Sequence, residues 1–188
     1  MHFMCQAIFL DRDGVIIENR PDYVRSWSDV SIFDQAIEAI YLLSKLPFKI
    51  IIITNQSAVG RGIISLSTAN EINQRIIELI IQNHGRVDDV LVCPHQPEDH
   101  CSCRKPAPGL FFQAAQRNSI DLSSSVMIGD AVTDLQAAQA AGISTKYLVR
   151  TGRGIEQEKL LSNHAINSYS VVNNLLEAVH QIASKSSH

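Results

Sequence analysis

Three of the four cysteines crowd into eleven residues, as Cys93, Cys101 and Cys103, with His95 two places after the first and His100 beside the second. Thiolates and imidazoles that close together form a soft, tetrahedral donor set, and Zn²⁺ suits it best. The outer pairs, Cys93 with His95 and Cys101 with Cys103, each enclose one residue, and the short connector lets them fold onto one another. His100 adjoins Cys101, where neighbouring side chains of an extended segment diverge, so Cys93, His95, Cys101 and Cys103 are the expected ligands. Four protein ligands leave no open position, which makes this zinc structural. Its work would be to pin a loop that otherwise costs closure entropy, and so to place the basic pair Arg104-Lys105 that follows. The competing reading is a set of free thiols in a polar loop. Cys5 stands apart and reads as a small core filler.

A second group is carboxylic. Asp11 and Asp13 are two apart, so in an extended segment they share a face, with Arg12 on the other. Gly14 permits a sharp exit or a close backbone approach. Two carboxylates on one face repel until a cation or a proton relieves them. With Asp130 the site holds three, and hard oxygen ligands of this kind suit Mg²⁺. An isolated Asp-x-Asp-Gly is more often a solvated loop; what argues otherwise is where these residues fall relative to the strands.

The elements that must position them alternate. Gln6 to Leu10 is an apolar run ending at Asp11, and 34–46 has helical spacing through Ile37, Ile40, Leu43 and Leu46. Lys49 to Ile53 is a β-branched run ending at Thr54, and 67–83 is helical, opened by a capping Ser67. A short strand over 89–92 runs into the cysteine loop, and 108–118 is helical. A strand over 125–128 ends at Gly129-Asp130, and a helix over 133–141 is closed by Gly142. Next come a strand over 145–149 and a closing helix over 171–183; 162–170 is weakly patterned, and 184–188 is expected to fray. Unbroken apolar strands alternating with helices imply an α/β fold on a mainly parallel sheet. In such sheets the ligand crevice lies at the carboxyl ends of the strands, so Asp11, Thr54 and Asp130 point to one place.

Length and composition set bounds. The chain has 188 residues, enough for one well-filled core, so a single domain over 1–188 is expected. A net charge of −3 argues against broad nucleic-acid or membrane-surface binding. The sequence holds no bilayer-length apolar run and no signal-peptide pattern at its start, and clustered cysteines fit a reducing compartment. A cytoplasmic monomer is expected.

The motifs Asp11-Arg12-Asp13-Gly14-Val15, Thr54-Asn55-Gln56-Ser57, Arg104-Lys105-Pro106 and Gly129-Asp130 with Asp134 occur in that order. They resemble the four motifs of the haloacid-dehalogenase phosphatase superfamily. With the Cys/His loop included, the chain is similar to the branch that contains D,D-heptose 1,7-bisphosphate phosphatases and histidinol-phosphate phosphatases. The resemblance implies a three-layer Rossmann-like fold and an aspartyl-phosphate intermediate formed on Asp11, the nucleophile. It implies Mg²⁺ held by the Asp11 carboxylate, the Asp13 backbone carbonyl and Asp130. Asp13 would be the general acid and base, and Thr54 and Lys105 would stabilise the transferring phosphoryl group. Asp134 would hold Lys105 or a metal-bound water, unless it is simply a helix-start acid favoured by the dipole.

Members of the superfamily often carry a lid, but the gaps 14–49 and 57–93 are too short for one, so no separate cap domain is expected. Selectivity would then fall to nearby loops. The candidate substrate-binding residues are Asn19, Asp22 and Tyr23 in the first loop, Asn55, Gln56 and Ser57 after the second motif, and Ala131. Arg61 and Arg104 are candidates for a second phosphate, since a guanidinium fork suits phosphate oxygens. Thr54-Asn55-Gln56-Ser57, Arg61-Gly62 and Leu148-Val149-Arg150-Thr151-Gly152 resemble the heptose branch and imply the 7-phosphate of D-glycero-D-manno-heptose 1,7-bisphosphate as substrate. The short connector between His95 and Cys101 favours histidinol phosphate, whereas Ser57 stands where that branch often has an acid. A zinc-stapled binding module without turnover, and a nucleic-acid end phosphatase, are the other classes weighed. The complete residue set argues against the first, and the acidic balance against the second.

Overall fold

The structure, a computed structural model, describes residues 4–186. Its centre is β1 (Ala7–Leu10), four fully buried residues with no polar side chain. On one side β1 pairs with β2 (Lys49–Asn55), and on the other with β4 (Val126–Gly129), so that Leu10 lies between Ile52 and Ile128. Outward from β2 comes β3 (Asp89–Cys93), and outward from β4 come β5 (Thr145–Val149) and β6 (Tyr169–Val172). All six strands are parallel, in the order β3-β2-β1-β4-β5-β6.

Alternation along each strand divides the core in two. Ile8, Leu10, Ile50, Ile52 and Ile128 face α1 (Asp34–Leu43), α3 (Leu66–Gln82) and α7 (Leu175–Ser186). Ala7, Phe9, Ile51, Ile53 and Met127 face α4 (Gly109–Asn118) and α5 (Val132–Ala140), with Phe9 edge-on to Phe111 at 4.9 Å. Two further helices are short: α2 (Ser57–Gly60) follows β2, and α6 (Gly154–Glu158) follows β5. With layers on both faces, this is the doubly wound α/β arrangement. Its switch point lies where the chain departs from β1 in opposite directions, between β1 and β4. Asp11 and Asp130 each follow the last residue of those two strands.

Four sequence expectations need correction. The segment assigned to one closing helix over 171–183 is the end of β6 followed by α7. β6 is a short edge strand, exposed at Tyr169 and half-buried over the next two residues, so it lacks the apolar run of a central strand. α7 runs to Ser186, so 184–186 are helical; residues 187 and 188 lie outside the described residues. The cap of α3 is Ser65, whose hydroxyl accepts from Thr68 N at 3.0 Å, whereas Ser67 lies inside the helix. Arg12 does not face away from the acids. The chain stops being extended there, its carbonyl accepting from the N–H groups of Val15, Ile16 and Ile17, and the guanidinium folds back onto Asp13.

Candidate active site

At the carboxyl edge of β1, β2 and β4 lies a cleft of about 270 Å³, lined among others by Asp11, Asp13, Asn19, Tyr23, Arg104, Lys105, Asp134 and Arg153. Its floor is acidic. Oxygens of Asp11, Asp130 and Asp134 all lie within 4.8 Å of one another, and each residue is 5% exposed or less. Burial, reinforced by the neighbouring carboxylates and opposed by Lys105, lifts Asp11 to about 8. Burial and Asp134 also raise Asp130, against the pull of Arg153. Two glycines make room for this cluster. Gly14 has φ +84° and Gly152 φ +61°, and a Cβ on either would stand 2.2 or 2.6 Å from Asp130 Oδ2. Only glycine fits both the space and the backbone at these positions.

Lys105 is the counter-charge. Its ammonium is 3.0 Å from Asp11 Oδ1 and 2.8 Å from Asp134 Oδ1, and it donates to Ile53 O at 3.0 Å. Burial works to lower its pKa, but the two acids outweigh that and raise it, so Lys105 stays charged. Asn55 brackets the Lys105 main chain, donating to its carbonyl at 3.1 Å and accepting from its N–H at 3.2 Å. Asp134 combines both roles considered for it. One carboxylate oxygen pairs with Lys105, and the other accepts from Ala131 N at 3.1 Å in the first turn of α5.

The donor set fits a hard divalent cation. It offers three buried carboxylates and the Asn19 Oδ1, a buried oxygen with no hydrogen-bond partner. The Asp13 carboxylate stands outside this group. Arg12 Nε and Nη2 each donate to it at 3.0 Å, Gln56 Nε2 at 3.0 Å and Thr54 Oγ1 at 3.4 Å.

The Cys/His loop has a donor set of the kind that suits Zn²⁺. Cys93, His95, Cys101 and Cys103 gather, and five of their six mutual Sγ and Nδ1 distances run from 3.3 to 3.7 Å. A tetrahedron with bonds of about 2.3 Å has edges of about 3.8 Å. His100 is not in the group. Burial resists ionisation of Cys101, yet the Cys103 thiol and the N–H groups of Arg104 and Cys103 bring it down to about 7. Burial and the Cys103 thiol push Cys93 up. Arg104 ties the loop together by donating to His95 O at 3.0 Å.

The candidate substrate residues divide. Asn19, Tyr23, Asn55, Gln56, Ser57 and Arg104 line the cleft. Asp22 lies in an adjoining hollow with Arg20 and Tyr23, and Ala131 is buried, its N–H donating to Asp134. Arg61 pairs with the exposed Glu98 at 3.6 Å and does not line the cleft. Three residues that the sequence reading left unused belong here. Arg12 and Asn73 support Asp13, and Arg153 places its N–H and guanidinium on the Asp130 carboxylate at 2.9 to 3.3 Å. Only the Gly152 before Arg153, ending a motif of the resemblance, hinted at the last.

A family model described as HAD-hydrolase-like matches residues 102–178. The D-glycero-β-D-manno-heptose-1,7-bisphosphate 7-phosphatase of Bordetella bronchiseptica is 37% identical over 149 residues, covering 79% of this chain and 83% of the relative. The chain belongs to the haloacid-dehalogenase-like hydrolases. Within that family, the enzyme of the same name from Vibrio cholerae is 37% identical over 170 residues, covering 86% of this chain and 91% of that one. The crystal structure of D,D-heptose 1,7-bisphosphate phosphatase from B. bronchiseptica, complexed with magnesium and phosphate, superposes with a TM-score of 0.88 at 32% identity. It covers 96% of this chain and 99% of that chain. This hydrolase is therefore a phosphatase, built on the fold of a magnesium-binding relative.

Proposed function

We propose that the chain removes the 7-phosphate of D-glycero-D-manno-heptose 1,7-bisphosphate in a Mg²⁺-dependent, two-step reaction through an aspartyl-phosphate on Asp11. The observation that carries this reading is the meeting of Asp11, Asp13, Lys105 and Asp134 in one cleft, with Thr54 and Asp130 directly behind. The substrate follows the names of the relatives.

Asp11 attacks phosphorus, the bond to the sugar oxygen breaks, and Asp13 gives that oxygen its proton. Asp13 then takes a proton from the water that cleaves the acyl phosphate. Lys105, already paired with Asp11, offsets the charge that develops on the phosphoryl oxygens. Thr54, expected beside it on the phosphoryl group, is fully buried and donates to Asp13, so its part here is to orient that carboxyl. Mg²⁺, held by Asp11, Asp130 and the Asp13 main-chain carbonyl, would supply the positive charge that lets an anion approach a phosphate. Arg104 and Tyr23, which line the same cleft, would hold the rest of the substrate. Zn²⁺ on Cys93, His95, Cys101 and Cys103 would fix the loop that delivers Arg104 and Lys105. The same reading has the chain working as a single-domain monomer in the cytoplasm, without nucleic-acid or membrane partners. No helix among the described residues is long and apolar enough to cross a membrane.

The test is a rate comparison. The kcat/KM on heptose 1,7-bisphosphate should exceed that on histidinol phosphate by about tenfold or more, a difference of about 1.4 kcal/mol in barrier. A higher value on histidinol phosphate would reverse the substrate assignment.

A further inference from the structure

We propose that Arg12 is the positioning residue of the acid–base step. It fixes the Asp13 carboxyl with Oδ1 as the proton-carrying oxygen, and Asn73 of α3 fixes Arg12 in turn. The proposal rests on Asp13 being the general acid and base, and it extends that reading to Arg12, which the motif left without a role, and to Asn73, which lies outside the motifs.

Arg12 Nε donates to Asp13 Oδ2 and Nη2 to Oδ1, both at 3.0 Å, and Nη2 also stands 3.0 Å from Oδ2, so the guanidinium grips both carboxylate oxygens. Its third contact runs from Nη1 to Asn73 Oδ1 at 2.8 Å, sixty-one residues along the chain. Arg12 is 1% exposed and Asn73 6% exposed, so neither guanidinium nor amide turns to solvent. A buried arginine recovers its desolvation only where its bonds are good, and a merely structural position would be filled as well by an apolar side chain. Here all three contacts form one line from α3 to the reacting carboxyl.

The two oxygens of Asp13 are not equivalent. Oδ2 accepts from Arg12, Gln56 and Thr54, whereas Oδ1 accepts from Arg12 alone. A carboxyl that delivers a proton needs an oxygen not already surrounded by donors, and that oxygen is Oδ1. With both oxygens gripped, the carboxyl plane cannot swing, and the proton meets the sugar oxygen at hydrogen-bonding reach as the P–O bond breaks.

The experiment uses leaving-group dependence, which a general folding defect does not alter. An alkyl ester needs its oxygen protonated as it leaves, whereas 4-nitrophenolate leaves without help. Arg12→Lys keeps a charge but loses the fork. It should lower kcat/KM on the preferred sugar phosphate by about 30- to 100-fold, within the span of general acid catalysis. On 4-nitrophenyl phosphate it should lower kcat/KM by less than about threefold, while kcat and KM fall together because phosphoenzyme hydrolysis still needs Asp13 as base. Asn73→Leu leaves the Arg12–Asp13 pair and cuts its anchor, and should give the same pattern at about 3- to 10-fold on the sugar phosphate. Asp13→Asn, run alongside, sets the reference. Both variants are checked for thermal unfolding and zinc content, and if Arg12→Lys does not fold, Asn73→Leu decides. An equal loss on both ester types, or no loss on the sugar phosphate in folded protein, overturns the proposal. If Asp13→Asn itself lacks the pattern, the acid–base assignment fails instead. A wrong sugar assignment changes neither comparison.

Discussion

Lys105→Met removes the one ammonium in the acidic floor while keeping a side chain of similar length. In the native protein that ammonium sits 3.0 Å from Asp11 and 2.8 Å from Asp134, with 1% of the side chain exposed. All three of its N–H bonds are used, the third on Ile53 O. Without it, Asp11, Asp130 and Asp134 share a buried space with Arg153 as their remaining cation. Removing one partner of a buried pair typically costs about 3–5 kcal/mol, because the other charge is left without compensation. Asp11 can escape by taking a proton, since burial and its neighbours already hold it near 8. Asp134 loses its partner at either pH. In protein freed of magnesium, we expect a loss of about 3–5 kcal/mol at pH 8 and only about 0.4 kcal/mol less at pH 5, because a carboxyl held near 8 is half ionised at pH 8. For a chain of this length the larger figure corresponds to roughly 6–20 °C in Tm. Urea unfolding followed by circular dichroism at both pH values measures it. A loss under about 1 kcal/mol at pH 8 would show that Lys105 does not carry the compensation ascribed to it.

Two further outcomes follow from the same electrostatics and from the loop. In the wild type without magnesium, Asp11 binds its proton more tightly folded than unfolded, its pKa rising from 3.8 to about 8. Stability from that group is present below pH 4 and lost as pH rises toward 8. Saturating Mg²⁺ should flatten the slope, and an unchanged slope would separate Asp11 from the metal. Cys103→Ser removes the sulfur that lies within 3.4 Å of Cys93, His95 and Cys101, and should reduce bound zinc from about one equivalent to under about 0.1. Activity should fall with it, because Arg104 and Lys105 follow directly. Full zinc by metal analysis, or full activity without zinc, would contradict the staple.

The gathering of the acidic and hydroxyl residues was legible because they sit at strand ends. Asp11, Thr54 and Asp130 each stop an apolar run, and parallel strands carry such stops to one edge of the sheet. The Cys/His spacing was equally readable, since four soft ligands inside one short loop have few other uses. Arg12 was missed because alternation of faces holds only while a strand continues, and the chain turns at Arg12 itself. Asn73 and Arg153 were missed for a different reason. Each reaches the site from an element whose own pattern, an amphipathic helix or a turn after β5, says nothing of what lies opposite. Arg61 followed Gly60 and looked free to reach a phosphate, but the short α2 turns it toward Glu98. β6 was hidden because an edge strand need not be apolar, and Val171 and Val172 at its end fitted the helical spacing that follows.

The proposed reaction requires a carboxylate oxygen of Asp11 to accept the phosphoryl group. Rapid quenching during turnover, followed by borohydride, reduces an aspartyl-phosphate to homoserine, and peptide mass spectrometry locates the change. The modification should fall on residue 11, require both Mg²⁺ and substrate, and vanish in Asp11→Asn, which should also release no phosphate. Homoserine at residue 13 or 130, or full turnover by Asp11→Asn, would contradict it.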